Sequence, residues 1–216
     1  MNFEIFKEPL SNLLKRGLLD HYEVNLLWDN YLKIEFFWAQ NFKNLKKIDL
    51  IILGESPLRD TSYIYNKDSA DSSFLYKKHL LKCMELARNN VYAYSRKTKI
   101  ELMLELGILV IDLFPFSFTL KNNFNYRNKD KNNKILVRSN AEHQKILIDL
   151  FNSSYSWHLA EKIRDISKKT SNKTKYAFRY KACSKLDLKI FPTAPKISLG
   201  KGYDLDSKIF YDIFKK

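Results

Sequence analysis

The strongest constraint on the fold is a pair of short apolar runs, each closed by an acid. Ile48 to Leu53, apolar but for Asp49, leads into Gly54-Glu55-Ser56-Pro57. GILVIDLFPF, Gly107 to Phe116, passes through Asp112 before Pro115. Runs of this length without alternation suit strands covered on both faces, as in a parallel sheet. Parallel strands need long crossover connections, usually helical. The two runs therefore require an α/β chain if helical patterns lie around them.

They do. Asp20 can cap a helix starting near His21, with Val24, Leu27, Trp28, Tyr31, Leu32, Ile34, Phe36 and Phe37 giving a broad apolar face. A helix is expected from Ser72 or Ser73 through Leu86, and another from Lys97 to Leu106, stopped by Gly107. Ser139 and Glu142 form a capping-box pair opening a helix to about Phe151, and a further helix is expected near Tyr155 to Lys168. Thr174 to Phe178 and Leu186 to Phe191 are the third and fourth strand candidates, and a helix near Asp206 to Phe214 follows. The 216 residues suit one domain, residues 1–216, with 1–44 as a helical region packed on it. The expected architecture is a three-layer α/β/α sandwich around a mainly parallel four-stranded sheet.

Ligands of such sheets bind outside the carboxyl ends of the strands. Three of the four expected strands end there in unusual chemistry: Gly54-Glu55-Ser56-Pro57, Asp112-Leu113-Phe114-Pro115, and Phe191-Pro192-Thr193-Ala194-Pro195. The chain carries a net charge of +14. Lysine-rich coding alone can produce such an excess, but the charge is concentrated. Lys121 to Arg138 holds six basic residues against Asp130, and Lys168 to Lys189 holds eight against Asp187. Basic segments near a pocket suit a polyanion, nucleic acid before membrane.

In these motifs the chain resembles the uracil-DNA glycosylase superfamily. GESP is similar to the first family motif, Gly-Gln-Asp-Pro in one branch and Gly-Glu-Ala-Pro in another. GILVID is similar to Gly-Val-Leu-Leu-Leu-Asn, which sets Asp112 where the family has its uracil-reading asparagine. FPTAPKISLGKGYDLDSKIF is similar in layout to the last motif, His-Pro-Ser-Pro with its glycine-rich sequel. The tyrosines of TSYIYN lie where the family places an aromatic that stacks on the extruded base. The resemblance spans residues 45 to 214 in order. Phe191 stands where the family has its electrophilic histidine, and the four cysteines of an iron–sulfur site are absent, so the chain reads as a divergent member.

The resemblance implies Glu55 as the catalytic residue. Breaking an N-glycosidic bond builds positive charge on the deoxyribose, which a carboxylate stabilises while orienting water. Taken alone, Glu55 is equally a helix-start acid or an exposed turn residue. Gly54, Ser56, Pro57, Tyr63, Tyr65, Asp112, Phe114 and Phe191 are implied as the base-binding wall. Tyr63 and Tyr65 can be core aromatics or, two apart in an extended segment, stacking surfaces. Asp112 can be a turn cap; read as a specificity group, an ionised aspartate only accepts, which suits the exocyclic amine of cytosine. A modified cytosine is therefore expected before plain uracil. Arg59, Lys121, Arg127, Lys129, Lys131, Lys134, Thr193, Lys196, Ser198 and Lys201 are the expected DNA contacts.

No cofactor is expected, and no metal, since His21, His79, His143 and His158 lack ligand company. Cys83 and Cys183 read as reduced structural thiols. MNFEIFKEPLSNLLKRG lacks a signal peptide's apolar stretch, and no window approaches the roughly 20 apolar residues of a membrane helix. A cytoplasmic monomer that meets DNA, single- or double-stranded, and no membrane is the expectation. Its role would be repair of deaminated bases or defence against phage with modified DNA. The competing reading is a binding module for DNA or a nucleotide, on the same fold but without catalysis.

Overall fold

The computed structural model describes residues 1–57, 60–71, 74, 80–117, 141–178 and 214. Helices α1 (Phe3–Lys7), α2 (Ser11–Lys15) and α3 (His21–Asn44) precede strand β1 (Leu50–Gly54). Then come α4 (Leu80–Ala87), α5 (Arg96–Glu105), β2 (Ile108–Asp112), α6 (Ala141–His158), α7 (Ala160–Ser167) and β3 (Lys175–Phe178). The strands form a parallel sheet in the order β2-β1-β3. Leu50 is in register with Ile108 on one side and Lys175 on the other, and Gly54 faces Asp112. The chain is thus α/β with a small, open parallel sheet. The expected fourth strand, Leu186 to Phe191, lies outside the described residues, as does nearly all of the closing helix. Phe214 is helical and packs on the core.

Central position explains the composition of β1. All five of its residues are buried, as are all five of β2. No face is left for polar alternation, which is why β1 is apolar throughout and β2 is apolar up to Asp112. Asp20 caps α3 as expected and, in addition, forms a full capping box. The Glu23 amide donates to Asp20 Oδ1 at 2.7 Å, and the Asp20 amide donates to Glu23 Oε2 at 2.9 Å. At 24 residues α3 runs about 36 Å. Phe6 of α1 seats against Trp28 and Tyr31 of α3 and against Phe116 beyond β2, with centroids 5.1 to 5.2 Å apart. The N-terminal helices share one core with the sheet.

Three local expectations are corrected. The helix expected from Ser72 or Ser73 is not helical at Phe74, whose amide instead closes a turn onto the Asp71 carbonyl, and α4 spans Leu80–Ala87. A helix expected to end at about Phe151 continues as α6 to His158, and the chain breaks at Leu159 before α7. Ser153 and Ser154 donate their hydroxyls back to the carbonyls of Asp149 and Leu150, at 2.8 and 2.7 Å, so they are satisfied inside the helix. Tyr63 and Tyr65 do not lie in an extended segment. They follow a 3₁₀ turn at Asp60–Ser62, and Ile64 and Tyr65 are themselves in a turn.

The outer edge of β2 is closed by side chains. The Val110 amide donates to the Tyr65 hydroxyl at 2.6 Å, and Trp38 Nε1 donates to the Val110 carbonyl at 3.2 Å. His158 meets the Asp112 carbonyl at 3.0 Å. An open strand edge is a template for unwanted pairing, and these groups blunt it.

Candidate functional site

The carboxyl end of the sheet brings Glu55 and Asp112 onto adjacent strands. Their positions follow from the register: Gly54 is opposite Asp112, and the ladder runs one step on. The Leu113 amide donates to the Gly54 carbonyl at 3.0 Å, and the Phe114 amide donates to the Glu55 carbonyl at 2.9 Å. Neighbouring strands stand about 4.8 Å apart, so the backbones of Glu55 and Asp112 lie at the same end of the sheet on adjacent strands, one register step apart. Glu55 is 1% exposed and Asp112 is 9% exposed. Burying carboxylates is costly unless neighbours satisfy them, and both make further contacts here. Phe114 and Pro57 are buried beside them, Gly54 is buried, and Ser56 is half-buried.

The two tyrosines are buried core groups. Tyr63 is 2% exposed, and its ring meets that of Tyr65 edge-on, with centroids 5.7 Å apart at 83°. The Tyr65 hydroxyl is engaged by Val110, as described. The loop carrying both is held by Arg96 at the start of α5. Its guanidinium donates to the carbonyls of Tyr63 and Ala70, and its amide donates to Asp71 Oδ1. Burial lowers the Arg96 pKa, and Asp71 opposes that shift. The guanidinium also lies 5.4 Å from the Phe74 ring centroid.

Sequence reasoning treated His158 as one unremarkable histidine of four. In the fold it is buried directly under the acid end of β2. Its Nε2 lies 3.0 Å from the Asp112 carbonyl, and its Nδ1 lies 3.5 Å from Lys162 Nζ. Lys162 is in turn paired with Glu35 of α3 at 2.5 Å. Desolvation holds the His158 pKa well below its ordinary value, Lys162 lowers it further, and the bond to Asp112 only partly opposes this. The ring is therefore neutral. Its Nε2–H donates to the carbonyl and its Nδ1 accepts from Lys162. Glu35 Oε1 is 3.9 Å from Nδ1, but with a neutral ring that approach is not an ion pair. No local motif signals this arrangement, because Glu35 and Lys162 are 127 residues apart.

Part of the second basic run has structural duties. Lys169 Nζ donates to the carbonyls of Phe42 and Leu45, at 2.7 and 2.6 Å, and so caps the end of α3. Lys168 pairs with Asp165. Arg59, Lys121, Arg127, Lys129, Lys131, Lys134, Phe191, Thr193, Lys196, Ser198 and Lys201 lie outside the described residues, as do Ser139 and Cys183. No helix of the described residues is long and apolar enough to cross a membrane.

Comparison with protein-family models, with characterised proteins and with solved structures finds no match to this chain.

Proposed function

We propose that the protein is a monofunctional DNA glycosylase that hydrolyses the N-glycosidic bond of an extruded base, a modified cytosine before plain uracil. The observation that supports this reading is the register of Gly54 with Asp112, by which two buried acidic residues, Glu55 and Asp112, both fall at the carboxyl end of a parallel sheet. Glu55 stabilises the positive charge that develops on the sugar and orients the water that attacks C1′. The bond from C1′ to the base nitrogen breaks, and the base leaves with the electron pair and takes up a proton. Asp112 accepts a hydrogen bond from the exocyclic amine. Leu186 to Phe191 would complete a four-stranded, three-layer fold, and the basic segments 121–138 and 179–189 would grip phosphates. The protein would act in the cytoplasm as a monomer, in repair or in defence against modified phage DNA.

A specific observation favours a second reading. Glu55 is almost wholly covered and both tyrosines are committed to the core. That suits a module that holds DNA or a nucleotide without cleaving it. The two readings separate on one experiment. Wild type is incubated with duplexes carrying uracil, hypoxanthine, methylcytosine, hydroxymethylcytosine or glucosylated hydroxymethylcytosine, and abasic sites are scored. The glycosylase reading expects release of a cytosine derivative, and Asp112→Asn should move preference toward uracil by about tenfold to hundredfold, the effect of one mismatched buried hydrogen bond. Abasic sites on none of the duplexes, with DNA retained, would establish the binding module.

A further inference from the structure

A pocket of about 240 Å³ opens between α3 and α5, and neither Glu55 nor Asp112 lines it. Helical spacing brings Phe37, Gln40, Asn41 and Asn44 of α3 to one face of the pocket. Tyr65, itself buried, also borders the pocket. Lys67 and Lys97 stand at the wall with Glu101, a net of one positive charge. Lys97 is largely free to turn inward: its side chain is 71% exposed and only 4.0 Å from Glu101 at closest approach.

Asn41 is the anomaly. It is 6% exposed, and neither its amide nitrogen nor its amide oxygen has a hydrogen-bond partner among the described residues. Buried side-chain amides are nearly always paired, and one that is unpaired on both atoms calls for a physical reason. Asn41 lines the pocket, but both polar atoms are covered in this state, so reading a base would require the carboxamide to rotate out of its present position.

We propose that this pocket binds a mononucleotide, with the base edge read by Asn41 and the phosphate held by Lys67 and Lys97. A carboxamide presents one donor side and one acceptor side, which matches the adjacent donor and acceptor on a nucleobase edge. Phe37 supplies aromatic surface for the base, and the lysines supply the charge-assisted bonds a phosphate prefers. At about 240 Å³ the pocket has room for part of one nucleotide, the rest extending to the surface, and not for a run of them. This site does not depend on base release. It touches the other end of the molecule through Tyr65, whose hydroxyl is bonded to Val110, two residues before Asp112.

Binding is tested by calorimetry and by NMR titration of the full chain with CMP, UMP, AMP and GMP. A 5′-phosphorylated oligonucleotide distinguishes a free nucleotide from the terminal nucleotide of a strand, which share this chemistry. At least one mononucleotide should saturate with a Kd below about 1 mM. Asn41→Leu should weaken it about tenfold to hundredfold while holding or raising the thermal midpoint, because a covered, unpaired amide is removed. Should Asn41→Leu fail to fold, the exposed Lys97→Glu still tests the phosphate site and should weaken binding severalfold. Tighter binding of the oligonucleotide, lost in the same variants, assigns the site to a strand terminus. No saturation by any probe up to about 10 mM, or wild-type affinity in both variants, overturns the proposal.

Discussion

At the amino end of the sheet, polar groups tie elements together. Thr174 is fully buried; its hydroxyl donates to the Ile48 carbonyl at 2.6 Å and accepts the Ser171 amide at 2.9 Å. The Ile48 amide donates to the Lys169 carbonyl at 2.9 Å, and the Lys169 ammonium caps α3. Gly107 accepts the amides of Asp49 and Leu50. At the carboxyl end, the same three-stranded sheet presents two buried carboxylates, Glu55 and Asp112, over a neutral histidine. The first arrangement is that of a fastener. The second buries two acidic side chains, which need polar partners where apolar residues would need none.

If that contrast is right, substitutions at the amino end should cost stability. Gly107→Ala has the largest expected effect. Its φ is +68°, and an added Cβ would meet the Asp49 amide nitrogen and the Asp49 carboxylate at 3.0 Å and the Lys47 carbonyl at 3.2 Å. The strain of a left-handed non-glycine residue and the overpacking together should cost about 2–4 kcal/mol, read from urea unfolding. Near-wild-type stability would mean that the β1–β2 junction is slack and the fastener weaker than it looks.

Thr174→Val keeps the shape and removes the hydroxyl. It orphans the buried Ile48 carbonyl and the Ser171 amide, so a loss of about 1–3 kcal/mol is expected at constant m-value. The matched change at the other end, Asp112→Asn, keeps the shape and a hydrogen-bonding side chain, and should cost less than Thr174→Val. Equal costs at both ends would erase the distinction.

A further expected effect is on pH dependence. His158 has a folded pKa below its ordinary value of 6.5, so as pH falls below 6.5 the unfolded chain takes up a proton that the folded chain refuses. More protons on the unfolded state mean that stability rises with pH, so acidification destabilises. The slope from this group is at most about 1.4 kcal/mol per pH unit, in the window from 6.5 down to the folded pKa. His158→Gln should flatten that limb below about pH 6.5. An unchanged slope would mean that the ring is charged, and Glu35 rather than Lys162 would then be its partner.

The elements buried on all sides were the legible ones. Apolar runs of β1 and β2 have no other stable reading, and Asp20 and Gly107 mark boundaries by backbone chemistry that acts within a few residues. The end of α6 was not legible, because whether a serine breaks a helix depends on where its hydroxyl goes. Glu55 and Asp112 could be picked out because each directly follows or ends an apolar strand. His158, Lys162 and Glu35 could not, since their meeting is made by tertiary packing between α3, α6 and α7. Tyr65 carried the right residue type for a stacking surface, yet the fold uses its hydroxyl to close the edge of β2.

The central claim is that Glu55 performs chemistry and is not merely tolerated. The direct measurement is single-turnover base release by Glu55→Gln, on whichever duplex the wild type cleaves, alongside DNA affinity and thermal midpoint. The substitution keeps the size and removes the charge. Release should fall at least about 100-fold, the scale of a lost electrostatic or acid–base group, with affinity and midpoint unchanged. Wild-type release by Glu55→Gln would contradict the account and return Glu55 to a buried turn residue at the end of β1.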